Sequence, residues 1–336
     1  MNDSMVGLPC VSTDSSCPML KKLTLLLLFP LACLAQPPQR PLQALDTWTL
    51  PGYHAVDPAG SLALPDGMAY DRVSSVVFTD EGHLLVLHRG PQPLLEFDAE
   101  GHFLRAFGDE LGLTMAHGLD IDNDGNIWIT DLIGAVVLKL DSAGNVLLTL
   151  GTQGEAGAWD ETAASHKFQQ PNETALDSAG NLYVVQGHGQ GEPRVLKFGA
   201  DGRFIKQWGS RGTEPGQFAV AHSIKIDAND KLYIADRENQ RIQMFDTEGN
   251  FVEEWKYSAM VCSLYLHDDG FLYMTSGFDG ELAKVDMSTG KLLGALGSPG
   301  KETGQFGEAH FLTLDGAENI YVADVVNRRV QVFARD

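Results

Sequence analysis

Six times along this chain the same short text returns, and that repetition limits the fold more than any single motif. The clearest copy is AHSIKIDANDKLYIADRENQRIQMFD at 221–246. Apolar and polar residues alternate through AHSIKID, break at an Asn/Asp turn, alternate through KLYIAD, break again and resume in RIQMFD. Period-two alternation bounded by turn residues predicts antiparallel strands. Aligned on one residue of the second strand, the copies fall at Leu85, Trp128, Tyr183, Tyr233, Tyr273 and Tyr321, spaced 40 to 55 residues apart. A polar turn precedes each marker and a third strand follows it (LLEFD, VVLKLD, RVLKFG, RIQMFD, LAKVD, RVQVF). Most copies add a fourth: FLRAFG, VLLTLG, FIKQWG, FVEEW, LLGALG. Four strands at this period form a blade whose faces only neighbouring blades can bury. The predicted fold is all-β, a six-bladed β-propeller. The last copy lacks its fourth strand, and residues 44–50, ALDTWTL, are expected to supply it and close the ring.

Ahead of the repeats, Lys21 and Lys22 precede the apolar run LTLLLLFPLACLA, the order of charge and hydrophobicity found in a secretory signal peptide. The expected division is a signal peptide over 1–35, with Met19 as an alternative start, a Pro-rich linker over 36–43 and the propeller over 44–336. Export to the periplasm or medium follows. Anchoring through Cys33 ranks second, because Pro30 stands where a lipobox normally has Leu. Cys10, Cys17 and Cys33 all fall in this leader, so Cys262 has no partner for a disulfide in the body. Against 24 Lys and Arg stand 45 Asp and Glu, a net charge of −21 that argues against a nucleic-acid partner. A small-molecule or peptide substrate, no membrane span in the mature chain and a monomeric state are the remaining expectations.

One register within the repeat is irregular. Eleven residues before each marker stand Ser74, His117, Asn172, His222, Cys262 and His310, so histidine occupies blades two, four and six and no odd blade. First strands line the channel of a propeller, and alternate blades place equivalent residues at the corners of a triangle at one depth. Three imidazoles so arranged suit a catalytic zinc with an open fourth position. The second strand returns to the same face and brings Arg89 and Arg237 there, with His188 nearby in QGHGQG. Arg89 offers a fixed positive charge to a carboxylate or developing oxyanion. Asp131, Asp236 and Asp324 end the second strands of the histidine blades. They either accept the second ring N–H of those histidines or form turns with their own backbone.

Gly216–Phe218 and Gly304–Phe306 (GQF), with N-x-R-[IV]-Q-x-F at 239–245 and 327–333, resemble NHL repeats, in which Arg194, Arg241 and Arg329 would bond between strands and blades. HRG at 88–90, AHGLDIDNDGNIWITD at 116–131, GQFAVAHSIKI at 216–226, ADRENQRIQMF at 235–245 and AHFLTLD at 309–315 further resemble the peptidyl-α-hydroxyglycine α-amidating lyases, over roughly residues 70–336. That resemblance implies a zinc on His117, His222 and His310, an active-site Arg89, and cleavage of a peptidyl-α-hydroxyglycine to an amide and glyoxylate. The base in that family is a tyrosine of a D-G-Y motif, and the matching stretch here is Gln186, Gly187 and His188, which makes His188 the candidate base. The resemblance also implies a structural calcium held by the backbone carbonyls of Val76 and Leu119 and by a carboxylate that is Phe311 here. A metal-dependent ester or lactone hydrolase and a non-catalytic propeller binding a protein or glycan are the alternatives.

Overall fold

The computed structural model describes residues 50–56, 62–160 and 166–336. The expected signal peptide, Cys33, the linker and Trp48 lie outside the described residues. Within them are six four-stranded antiparallel sheets and no α-helix. Blade one is Val73–Phe78, Leu84–His88, Leu94–Phe97 and Phe103–Phe107, and blade two is Ala116–Ile121, Ile127–Asp131, Val136–Leu140 and Val146–Gly151. Blade three is Pro171–Leu176, Leu182–Gln186, Arg194–Phe198 and Phe204–Trp208, and blade four is Ala221–Ile226, Leu232–Asp236, Arg241–Phe245 and Phe251–Lys256. Blade five is Ser263–Leu266, Phe271–Thr275, Leu282–Asp286 and Lys291–Leu296. Blade six has Ala309–Leu314, Ile320–Asp324 and Arg329–Arg335.

Its fourth strand is Tyr53–Val56, which pairs antiparallel with Arg329–Arg335, Tyr53 opposite Arg335 and Val56 opposite Val332. An N-terminal strand therefore closes the ring, but not the one expected at 44–50. Leu50 is already committed elsewhere: its N–H donates to the carbonyl of Ala295 on blade five at 3.0 Å, and its Cα sits where a side chain on Gly294 would go. After Leu50 the chain turns at Pro51 and Gly52 and only then pairs with blade six.

The aromatic markers have a double task. Their rings fill the space between blades, and the polar tips of all but Tyr273, whose hydroxyl meets that of Tyr53, bond the preceding turn. Trp128 Nε1 donates to Asp122 at 3.0 Å, and the hydroxyls of Tyr183, Tyr233 and Tyr321 donate to Asp177, Asp227 and Asp315 at 3.0, 3.2 and 3.3 Å. The same aspartates accept backbone N–H groups two and four residues on, as at Asp227 with Asn229 and Lys231, both at 2.9 Å. Asp thus shapes the turn and anchors the following strand. Between blades three and four, Val185 and Val195 of one pack with Phe218, Ile224, Ile234 and Phe245 of the other, all buried. Each such side chain contributes about 1.5–3 kcal/mol by leaving water.

Arg241 is wholly buried, pairs with Asp236 at 2.8 Å and Glu254 at 2.7 Å, and donates to the carbonyls of Thr213, Glu214 and Gln217. Arg329 repeats this in blade six, with Asp324 at 3.1 Å and the carbonyls of Glu302 and Gln305. Arg194 reaches only the Gly209 carbonyl, at 3.2 Å. These arginines clamp the loop that enters a first strand, and in blades four and six that strand carries a histidine.

Candidate metal centre

The described histidine rings of the even blades meet. Ring centroids of His117 and His310 are 4.8 Å apart, His117 and His222 4.9 Å, and His222 and His310 5.0 Å. The local cause is a break in the ladder between first and second strands. Pairing skips between Ala116 and Leu119, between Ala221 and Ser223, and between Ala309 and Leu312, so each histidine sits in a β-bulge. Blades one and three skip in the same place, at Ser74 and Asn172. A bulge frees one residue from the ladder and re-aims its side chain, here toward the axis. Gly118 follows His117 because a Cβ there would come 2.5 Å from the Asn172 carbonyl oxygen.

Each ring is held by the neighbouring odd blade at the equivalent position. The Nδ1 atoms of His117, His222 and His310 lie 2.8, 2.8 and 2.6 Å from the carbonyl oxygens of Asn172, Cys262 and Ser74. A carbonyl only accepts, so Nδ1 carries the proton and Nε2 keeps its lone pair. The three rings are buried, and the Nε2 atoms of His117 and His222 have no hydrogen-bond partner. Burial first, then nearby positive charge, lowers all three pKa values well below the usual histidine range. Neutral imidazoles with bare, buried acceptor nitrogens have the chemistry that metal ligation requires. Three imidazoles bound tetrahedrally at about 2.0–2.1 Å would place their centroids about 5 Å apart, in agreement with the spacing found. Among the described residues, ligand atoms within 4.8 Å of one another group His117 with His188 and His222, and His222 with Cys262 and His310; neither group joins His117, His222 and His310 together. His222 is common to both.

Asp131, Asp236 and Asp324 do not touch these rings. They accept backbone N–H groups at the strand entries instead: Thr114 and Met115, Ala219, and Gly307 and Glu308, all at 2.6–3.2 Å. Asp131 and Asp324 also accept the Gly134 and Asn327 N–H of their own turns, whereas Asp236 accepts from the Asn239 side chain, so the turn role with own backbone holds for two of the three.

Arg89, His188 and Arg237 gather beside the rings. His188 lies 5.5 Å from both His117 and His222, centroid to centroid. Gly187 before it has φ 106°, where a Cβ would strike Pro193 at 2.4 Å. Arg237 Nη1 is 3.3 Å from His188 Nε2, while its other nitrogens hold Glu238 at 2.8–3.0 Å. A guanidinium only donates, so the His188 proton resides on Nδ1. Burial, then Arg237 and Arg89, push its pKa down to about 3. Arg89 Nε donates to the carbonyl of Ala116, the residue before His117, at 3.1 Å.

Glu308 stands outside the sequence motifs; it lies two residues before His310, and burial pushes its carboxyl up while Arg237 and Arg89 pull it down. Nothing in the repeat marks it, because only the charges around it give it meaning. Cys262 is buried with Sγ 3.8 Å from His222 Nδ1, and burial pushes its thiol up to about 12, so it remains protonated. Val76 and Leu119 lie apart from the rings, on a cavity of about 520 Å³ separated from them by Phe311.

A family described as "6-bladed beta-propeller" matches residues 161–289. The chain is similar to a rat peptidylglycine alpha-amidating monooxygenase, 36% identical over 174 residues, which is 48% of this chain and 17% of that protein. It is also similar to NHL repeat-containing protein 3 of mouse, 32% identical over 184 residues, covering 52% of each chain. A probable peptidyl-alpha-hydroxyglycine alpha-amidating lyase of Caenorhabditis elegans is 29% identical over 202 residues, 52% of this chain and 55% of that protein. The matches thus span about half or less of these relatives. Among solved structures, a streptogramin B lyase superposes with a TM-score of 0.60 at 14% identity, covering 84% of this chain and 98% of that one, which speaks for the fold alone. This chain is a six-bladed β-propeller similar in sequence to NHL repeat-containing protein 3 and to a probable peptidyl-alpha-hydroxyglycine alpha-amidating lyase.

Proposed function

We propose that this chain is an exported, monomeric, zinc-dependent lyase that cleaves a peptidyl-α-hydroxyglycine-type substrate to an amide and glyoxylate. The observation that carries the reading is the pair of buried, unpartnered Nε2 atoms on His117 and His222, whose rings stand with His310 at metal-sharing distances. Those three residues would hold zinc, which when bound supplies Lewis acidity toward the substrate hydroxyl.

The chain's own groups account for the rest. The reaction removes the hydroxyl proton, breaks the C–N bond, forms the aldehyde of glyoxylate and delivers a proton to the departing amide nitrogen. Arg89 and Arg237 supply the positive charge that a substrate carboxylate needs in a buried site. His188 is the proton acceptor. Its basic Nε2 is engaged by Arg237 in the free protein, and two guanidiniums suppress its protonation. A bound carboxylate that draws Arg237 to itself would free Nε2 and offset that charge, coupling substrate binding to the appearance of the base.

Zinc analysis combined with glyoxylate release from an N-acyl-α-hydroxyglycine tests this. The expected result is one zinc per chain and glyoxylate equal to amide, both lost in His117→Ala, His222→Ala and His310→Ala. Zinc without glyoxylate would remove the reaction and leave the metal, opening the site to ester or lactone hydrolysis. Unchanged metal content in all three variants would favour a non-catalytic binding propeller.

A further inference from the structure

The calcium that the lyase resemblance implies does not fit the residues found in the channel. Val76 and Leu119 share the cavity of about 520 Å³ with Asp120, Glu173, Lys225 and Phe311. Phe311 takes the position of the expected carboxylate and packs its ring 4.7–5.7 Å from all three histidine rings. Five carboxylates line the cavity, Asp120, Asp122, Asp124, Glu173 and Asp177, and the two that first strands bring there, Asp120 and Glu173, are not free. Glu173 is 1% exposed, its Oε1 lies 2.9 Å from Lys225 Nζ, and its Oε2 accepts from Ser223 Oγ at 2.6 Å and from the Ile224 N–H at 2.7 Å. Asp120 Oδ2 is 3.4 Å from the same Lys225 Nζ. Calcium asks for 6–8 oxygens at about 2.3–2.6 Å, and here the best anionic oxygens already belong to donors of the protein. Burial opposes the charge on Lys225, yet Asp120 and Glu173 outweigh it and hold its pKa above the ordinary lysine value.

We propose that the Lys225 ammonium takes the place of a divalent cation in this channel, joining the first strands of blades two, three and four, so that the propeller needs no calcium. Asp120, Glu173 and Lys225 come from those three strands in that order. The bridge joins blades distant in sequence, Asp120 and Lys225 being 105 positions apart. This inference rests on ion-pair geometry and stands whether or not the histidines carry zinc.

The experiment is a calcium titration of zinc-saturated protein, read by calorimetry and by thermal unfolding. The wild type is expected to bind no calcium up to about 10⁻³ M, the weak end of protein calcium sites, with an unchanged Tm. Lys225→Met leaves two carboxylates without their cation. Its Tm should fall and be recovered by calcium, while Lys225→Arg should remain indifferent to calcium. If Lys225→Met cannot be purified folded, the wild-type titration decides alone. Stoichiometric calcium uptake by the wild type with a rise in Tm would overturn the proposal, as would a Lys225→Met variant that calcium does not restore.

Discussion

At the scale of single residues, the candidate site separates into groups that the repeat supplies and groups that interrupt it. The histidines were legible because three of them break a six-fold register in alternation, a pattern that a channel about an axis turns into a triangle. Their ring orientation was not legible. It depends on bulges that offset the ladder and on carbonyls contributed by the next blade, and neither leaves a mark in side-chain identity. Glu308 was hidden for a similar reason, since its setting is made by Arg89 and Arg237 from other blades. Arg89 invites a direct measurement. Replacing it by Met removes fixed charge from beside the rings while leaving the three histidines in place. The expected outcome is a fall in kcat/KM of about 100-fold with zinc content unchanged, read by steady-state glyoxylate release and metal analysis.

Among the strands, most of the repeat was readable because turn aspartates and aromatic markers act locally. The fourth strand of blade six was misplaced because alternation in ALDTWTL satisfies a strand pattern, whereas pairing is decided by what the chain reaches after Leu50 docks on blade five. Arg241 shows how local sequence controls the site. Its side chain is 2% exposed and its partner Asp236 is fully buried, so Arg241→Met leaves a buried carboxylate without its cation. A loss of about 3–5 kcal/mol is expected in urea denaturation. Arg329→Met should cost less, because Arg329 is 27% exposed. The turns predict acid behaviour as well. Side-chain and backbone donors of Asn145 and Asn250 hold Asp141 and Asp246 below the usual carboxylate range. Asp122 is also lowered: burial opposes the shift, but Asn126, Lys139 and Trp128 outweigh it. Folded values below the unfolded ones contribute stability that is complete above about pH 4 and vanishes as pH falls through the folded values. The buried neutral rings of His117, His188, His222 and His310 act earlier, because unfolding lets them take up protons below the ordinary histidine pKa, so denaturation midpoints should begin to fall below about pH 6.5 and fall further below about pH 4.

For the molecule as a whole, the blade count and the closure by an N-terminal strand were foreseeable from the unfinished last repeat. Closure gives a further prediction. Removing residues through Val56 would strip Arg329–Arg335 of its outer partner and leave an open strand edge. Such edges pair with other chains. The shortened protein should lose monomeric recovery and aggregate at concentrations where the full chain remains dispersed, as followed by light scattering and size-exclusion chromatography.

The bond from His310 to the Ser74 carbonyl carries a consequence for biosynthesis. It joins residues 236 positions apart, and the strand that completes the last blade comes from the other end of the chain. Contacts of such separation form late and slowly. A ribosome would therefore have to release the sixth blade before the first blade could meet it, and until then the seam would stay open to solvent and to other nascent chains. The third histidine is held in place only as the seam closes, so a metal captured there would be captured by the closed ring and by no earlier species.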